Sequence, residues 1–318
     1  LLYEAAGVKK GDKIAVFGKN SSNWCVGFMS VITYGAVSVP VLADFKAADA
    51  HTIITHSDAV MLLVDAQTMK DLSEGEMKKV KSIFSLDDFG ILSSKPTAAL
   101  KKAHESLDQL FEKKYKDGFG PEQIKYAEVD NSEVVEINYT SGTTGFSKGV
   151  VLSANSLAGN VDFAMRSIEL HPGEKMLALL PLAHCYGCAF DYLFPMAVGV
   201  HVTILGKLPA TPVIIKAFSE IRPHLILFVP IFFEKIYKKK LLPVLNKGSV
   251  KLLTKIPGVK GLIYGKMRKS LIETFGGRFR EAVLGGAALG AEVEEFMTQI
   301  KFPFTIGYGM TECGPLMS

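Results

Sequence analysis

Residues 139–149 read Tyr139-Thr140-Ser141-Gly142-Thr143-Thr144-Gly145-Phe146-Ser147-Lys148-Gly149. Gly142 and Gly145 allow backbone N–H groups to turn toward one point. The hydroxyls of Thr140, Ser141, Thr143 and Thr144 add donors, and Lys148 adds a mobile positive charge. Converging donors beside one cation are what a polyphosphate needs. The segment falls between two strand-like runs, 134–139 and 150–152, where ligand loops of open α/β sheets sit. A plain surface turn would need one or two glycines, not a row of hydroxyls and a lysine in register.

The main rival is a P-loop, G-x-x-x-x-G-K-[ST], opening a helix. Here Ser147 rather than glycine precedes Lys148, and Gly149 stands where Ser or Thr would follow. A strand, not a helix, is expected next. The spacing therefore disfavours a P-loop kinase or ATPase.

Other chemistry-bearing residues are fewer. Cys185 and Cys188 form a C-x-x-C beside His184. A zinc site would need a second such pair, and a redox site would need a small thioredoxin-like unit around this one. Buried core thiols are the expectation. A lone histidine among apolar residues, as His184 is, is more often a packed core residue. The densest basic stretch, Lys235 with Lys238, Lys239 and Lys240, reads first as a solvated helix end. Its sharper reading is a contact with anionic lipid headgroups or cofactor phosphates.

The elements that must position these residues alternate. Strands are expected over 14–17, 36–42 (broken by Pro40), 60–64, 80–84, 134–139, 150–152, 176–180, 200–205, 225–229, 282–284 and 304–307. Helices are expected over 24–34, 47–56, 98–115, 153–168, 212–220, 232–240 and 292–300, the first capped from 20–23. Alternating β and α with short apolar strands argues for an α/β fold of two mostly parallel sheet subdomains flanked by helices. The first subdomain is expected over 11–172 with the phosphate loop, and the second over 173–318. Residues 1–10 are expected to be a remnant of a truncated N-terminal region.

The chain has 318 residues, with 36 Lys and Arg against 32 Asp and Glu, a net charge of +4. That excess is too small to argue for nucleic acid. Four cysteines in this length are no disulfide framework and fit a reducing, cytoplasmic compartment. No apolar run reaches the ~18 residues of a membrane span. No secretory signal is visible.

Residues 139–149 closely resemble the signature of the adenylate-forming (AMP-binding) superfamily, which includes acyl-CoA synthetases, luciferases and peptide-synthetase adenylation domains. The family usually has Pro where this chain has Ser147. Segments 181–187 (Pro-Leu-Ala-His-Cys-Tyr-Gly), 285–289 (Gly-Gly-Ala-Ala-Leu) and 308–312 (Tyr-Gly-Met-Thr-Glu) are similar to further family motifs, in the family's order. Residues 11–14 and 35–40 also resemble its N-terminal half.

The resemblance implies ATP, Mg²⁺ and coenzyme A as nucleotide, metal and cosubstrate. It assigns Thr140, Ser141, Gly142, Thr143, Thr144, Gly145 and Lys148 to the β- and γ-phosphates, Gly285, Gly286 and Ala287 to the approach of adenine, and Tyr308 to stacking on it. Gly309 lies in the loop closing on the nucleotide, Thr311 would bond the α-phosphate, and Glu312 would hold Mg²⁺. Thr143, Lys148, His184, Thr311 and Glu312 form the implied catalytic set. His184 would lie near the substrate carboxylate, but not as a general base, because a carboxylate nucleophile is already ionised. Without the resemblance, Glu312 reads as a surface carboxylate and the glycines as strand-end turns.

Residues 229–237 and the lysine-rich insert over 235–280 resemble the long-chain fatty acyl-CoA synthetases. That implies a long-chain fatty acid as substrate and makes the 235–240 run a peripheral contact at the inner face of a membrane. Phe190, Leu193, Phe194, Phe228 and Phe232 would suit an acyl tunnel, although aromatics so spaced are more often core. An amino- or aryl-acid adenylating enzyme, or an ATP-binding module without catalysis, stays open. The family's ribose-binding Asp, hinge and mobile C-terminal domain would lie beyond Ser318. The chain is therefore expected to be a fragment of the large N-terminal domain that turns over poorly alone.

Overall fold

The computed structural model describes residues 1–318 except 141–147, 207–210, 255 and 257, and except the side chains at 240 and 251. Two sheets organise it. The first holds β1 (Lys13–Phe17), β2 (Val37–Val41), β3 (Met61–Val64), β4 (Ser82–Ser85), β5 (Val134–Thr140) and β6 (Lys148–Ser153) in the order β4-β3-β1-β2-β5-β6. Its pairings are parallel except β5 with β6, which is antiparallel. The second holds β7 (Lys175–Ala178), β8 (His201–Ile204), β9 (Leu225–Phe228), β10 (Glu281–Leu284) and β11 (Phe304–Ile306) in the order β11-β10-β9-β7-β8, all parallel. This is the expected layered α/β architecture.

Strands β1 to β4 are buried almost throughout because both faces of that part of the sheet are covered. β1 reaches β2 through helix Ser22–Thr33, and β2 returns past β1 to β3 through helix Ala47–His56. Right-handed crossovers in opposite directions place these helices on opposite faces. Ser21 starts the first helix by accepting a hydrogen bond from the Trp24 N–H at 3.0 Å. That helix lies over the face of Leu63, on which its Gly27 closes tightly. The second packs Ile53 and Ile54 against Phe17, Val39 and Leu62 on the other face.

The chain forms two compact units, one of Leu1–Ala158 with Ala183–Cys185 and one of Gly159–Leu182 with Tyr186–Ser318. The division falls inside helix Ala154–Ser167. The core of the second unit is aromatic. Phe233 stacks on Phe275 at 5.8 Å, and Phe218 and Phe228 meet Phe275 edge-on or tilted. Phe190, Leu193, Phe194, Phe228 and Phe232, offered above as tunnel material, are all buried.

Local departures have physical reasons. β2 runs through Pro40, which pairs in register with Val16; the proline removes one donor without ending the strand. The single helix expected over 98–115 is two, Ala98–Glu105 and Leu107–Lys114. Ser106 separates them, its hydroxyl turned back to the Lys102 carbonyl at 2.7 Å. Within the lysine-rich insert lies a helix the sequence did not announce, Val259–Thr274. Its buried residues, Met267 and Leu271, are hidden in sequence among lysines and two glycines.

Candidate active site

In the first unit, β5 and β6 pair as a hairpin, with Thr140 opposite Lys148 and Tyr139 opposite Gly149. The strand expected after Lys148 is therefore present. Ser141, Gly142, Thr143, Thr144 and Gly145 lie outside the described residues. Thr140 and Lys148 stand at the two feet of that segment. Lys148 is exposed and has no carboxylate or hydrogen-bond partner among the described residues, which leaves its ammonium available to an anion. Gly149 fits against the Tyr139 ring, where an added Cβ would come within 3.1 Å of Cζ. The Tyr139 hydroxyl lies 2.7 Å from His56 Nδ1, and burial pushes that phenol up to about 12.

Two residues of β5 escaped the sequence reading. Glu136 and Asn138 are buried, and Asn138 Nδ2 donates to Glu136 Oε1 at 2.8 Å and to the Ala183 carbonyl at 3.1 Å. Their signal was a carboxylate and an amide two apart in an otherwise apolar strand. Burial pushes the Glu136 carboxyl up to about 7, against the hydrogen bond from Asn138. The Ala183–Cys185 segment carries His184, whose imidazole is held below its ordinary pKa by burial. A neutral ring can hydrogen-bond a carboxylate without adding charge. Cys185 and Cys188 are both buried.

In the second unit, β10 and β11 are adjacent and parallel, with Leu284 opposite Ile306. Residues 285–287 leave the end of one strand and residues 307–308 the end of the other, the edge at which parallel sheets bind ligands. Gly285 N–H donates to the Phe228 carbonyl at 3.1 Å, and Gly307 N–H to that of Leu284 at 2.8 Å. The Tyr186 ring covers Gly285; a Cβ there would lie 3.0 Å from Cζ. Gly286 takes a φ of +82°, a left-handed conformation that favours glycine, and is exposed together with Ala287.

Tyr308 presents a ring that is 65% exposed. Its N–H donates to the Ser318 carbonyl at 2.8 Å, and its carbonyl accepts from Met317 at 2.9 Å. The two segments, joined by an isolated bridge between Gly309 and Leu316, close so tightly that a Cβ on Gly309 would lie 2.0 Å from the Pro315 carbonyl oxygen. One 3₁₀ turn, Thr311–Cys313, then buries Thr311 and exposes Glu312. Gly309→Ala must therefore part the 308–318 pairing. In the full-length protein it is expected to weaken nucleotide binding roughly tenfold, about 1.4 kcal/mol, by titration calorimetry. An unchanged affinity would separate this turn from the nucleotide.

Within the second unit, Asp191 holds the main chain at Leu179 and Leu180. Its Oδ2 accepts the N–H groups of Leu179 and Leu180, each at 2.9 Å, from a buried π-helical turn, Cys188–Leu193. Among the described residues no group of three or more His, Cys, Asp or Glu side chains is placed to hold a metal ion. Glu312 offers an exposed carboxylate on the 311–313 turn. That fits a Mg²⁺ carried mainly by phosphates and water, which needs one or two protein carboxylates.

The model of the AMP-binding enzyme family matches residues 1–318. The chain belongs to the AMP-binding enzyme family. Among curated family relatives, the long-chain-fatty-acid–CoA ligase FadD15 of Mycobacterium bovis is 26% identical over 338 residues, 96% of this chain and 52% of that protein. Long chain acyl-CoA synthetase 3 of Arabidopsis thaliana is 26% identical over 335 residues, covering 97% of this chain and 49% of its own length. The chain thus spans about half the length of these relatives. The N-terminal domain of FACL13 from Mycobacterium tuberculosis superimposes with a TM-score of 0.69 at 20% identity, over 98% of this chain and 66% of that one, a likeness of fold.

Proposed function

We propose that this chain is the nucleotide-binding part of an enzyme that activates a long-chain fatty acid as its acyl-adenylate and passes the acyl group to coenzyme A. The observation that carries the reading is Lys148, an exposed ammonium without a partner among the described residues, opposite Thr140 at the foot of the expected phosphate loop, in a chain matched throughout by the AMP-binding family. A carboxylate oxygen attacks the α-phosphorus of ATP. The bond to the β-phosphate oxygen breaks, and pyrophosphate leaves with its electron pair. Two anions must meet, so positioning and charge neutralisation dominate. Lys148 and the hydroxyls of 140–144 stabilise the leaving pyrophosphate, Thr311 bonds the α-phosphate, and Gly285, Gly286, Ala287 and Tyr308 receive adenine. Mg²⁺, when bound by the phosphates and Glu312, supplies further neutralisation. His184, neutral, orients the carboxylate. The thiol sulfur of coenzyme A then attacks the acyl carbonyl, losing its proton, and AMP leaves.

The test is a pyrophosphate-release assay on the full-length protein with a carboxylate panel from acetate to palmitate, amino and aryl acids included. Palmitate-dependent AMP and pyrophosphate are expected. Preference for an amino or aryl acid would move the enzyme within the family, ADP would make it a phosphotransferase, and no turnover would leave an ATP-binding module.

The same reading gives the enzyme an anionic bilayer as a peripheral partner, from which such a substrate is drawn in the cytoplasm. Between Glu234 and Glu273 the sequence has eleven Lys or Arg and no Asp or Glu. Among the described basic side chains there, only Lys238 has a carboxylate partner, Glu234 at 3.5 Å. Leu252 and Leu262 stand among them 68% and 70% exposed. Lysines with exposed leucines favour a lipid interface over nucleic acid. No helix among the described residues is long and apolar enough to cross a membrane. Sedimentation with phosphatidylglycerol vesicles should retain the protein at low salt. Substituting Arg268 and Lys269 by Ala should weaken it about tenfold or more, at about 1 kcal/mol per charge. Equal binding to phosphatidylcholine, or preferential RNA binding, would defeat this assignment.

A further inference from the structure

The chemistry above makes no use of Glu136 and Asn138. They stand two apart on β5 and so face one side of the sheet, and neither is more than 2% exposed. In register with Glu136 on β2 is Ser38, fully buried. Across β1, Ser38 is level with Ile14 and Met61, in the same alternation as Leu63, so all three polar residues lie on the face covered by helix Ser22–Thr33. A leucine at 136 or 138 would fill that face without desolvating a polar group. Folding alone therefore does not call for the pair.

The geometry gives the pair a task. The Asn138 amide donates to the Glu136 carboxyl and to the Ala183 carbonyl. Turned over, it would set its own oxygen against both acceptors, so Glu136 selects the orientation that grips Ala183. Glu136 Oε2 and, in register with it on β2, Ser38 Oγ are buried with no hydrogen-bond partner among the described residues. This polar patch sits where an apolar interface would otherwise close, which again marks the site as kept for more than packing. Two residues beyond Asn138, β5 ends at Thr140, the foot of the phosphate segment; one residue beyond Ala183 is His184.

We propose that Asn138, with its amide plane set by Glu136, is a positioning residue that ties the Ala183–Cys185 main chain to β5 and so fixes His184 relative to the strand feeding the phosphate loop. The inference rests on the adenylating reading, in which His184 meets the substrate carboxylate. It assigns the pair's effect to acid binding rather than to ATP binding.

The experiment is steady-state ATP–pyrophosphate exchange by the full-length protein, with the best acid of the panel. Asn138→Leu is expected to raise the KM for the acid about tenfold and to leave the KM for ATP within about twofold. Glu136→Leu, which frees the amide, should move the same way, and Glu136→Gln, which keeps an oxygen acceptor for Asn138, should restore the acid KM. If Asn138→Leu does not fold by circular dichroism, Asn138→Ser is read on the same terms. Equal loss in Glu136→Gln and Glu136→Leu overturns the proposal. So does a fall in kcat with both KM values unchanged, which is the mark of a smaller folded fraction. A wild type with no acid-dependent exchange overturns the adenylating reading itself; normal exchange with unaltered Asn138 variants overturns the positioning role alone.

Discussion

Replacing Lys148 by alanine in the full-length protein is expected to lower acid-dependent ATP–pyrophosphate exchange on the order of 10²- to 10³-fold, the range for removing a preorganised charge from a developing anion. The lysine begins β6 directly opposite Thr140, so strand pairing fixes its main chain while the side chain reaches outward. No described carboxylate competes for it. On the proposed reading its charge meets the leaving pyrophosphate, whose negative charge is greater in the transition state than in bound ATP. Lys148→Arg should recover part of the loss, since charge is kept but the point-like ammonium is not. Glu312→Ala should also impair exchange, most at low Mg²⁺. Cys185→Ala, at a buried thiol, should change the rate by less than about threefold, the scale of a modest packing defect rather than a lost charge. Equal losses in all three variants would break the assignment of the phosphate site.

What the sequence revealed and what it hid divide along physical lines. Strand and helix alternation was legible because most strands are short apolar runs and the first crossover helix has a distinct start, Ser21 capping Trp24. The return to β structure at 150–152 was legible too, from its β-rich residues; its antiparallel pairing with β5 was not. The helix Val259–Thr274 was not, since Lys260, Lys266, Arg268 and Lys269 crowd its pattern and the partners of Met267 and Leu271 come from elsewhere in the chain. The phenylalanines show the same limit. Their spacing is compatible with a tunnel or a core, and the packing of Phe228 on Phe232 and Phe275 could not be read from it. Asn138 marks the boundary most sharply. A polar residue in an apolar strand is visible in sequence, but its hold on Ala183, 45 residues away, exists only in three dimensions.

Asp191 should govern how the stability of the second unit depends on pH. Its carboxyl is fully buried, with Oδ1 unpartnered among the described residues, and burial pushes it up to about 7 despite the two N–H groups that favour the ionised form. In the unfolded chain it ionises near 3.9. Between those values the unfolded chain releases a proton that the folded chain keeps, so ionisation favours unfolding. This contribution to stability is complete below about pH 4 and is lost as pH rises to about 7, with an upper size of about 4 kcal/mol. Glu174 acts in the opposite sense. Hydrogen bonding to Arg280 holds it at about 2, so its stabilisation is present above the unfolded value and is lost as the solution turns acid. Asp191→Asn retains an oxygen for Leu179 and Leu180 and removes the titration. Urea unfolding should find it more stable than wild type at pH 8, and little different or weaker at pH 5. Asp191→Ala strands both N–H donors in the core and should cost roughly 3 kcal/mol or more at either pH. An Asp191→Asn variant less stable than wild type at pH 8 would mean that the carboxylate is ionised in place, its charge held by those two N–H groups more strongly than burial opposes it.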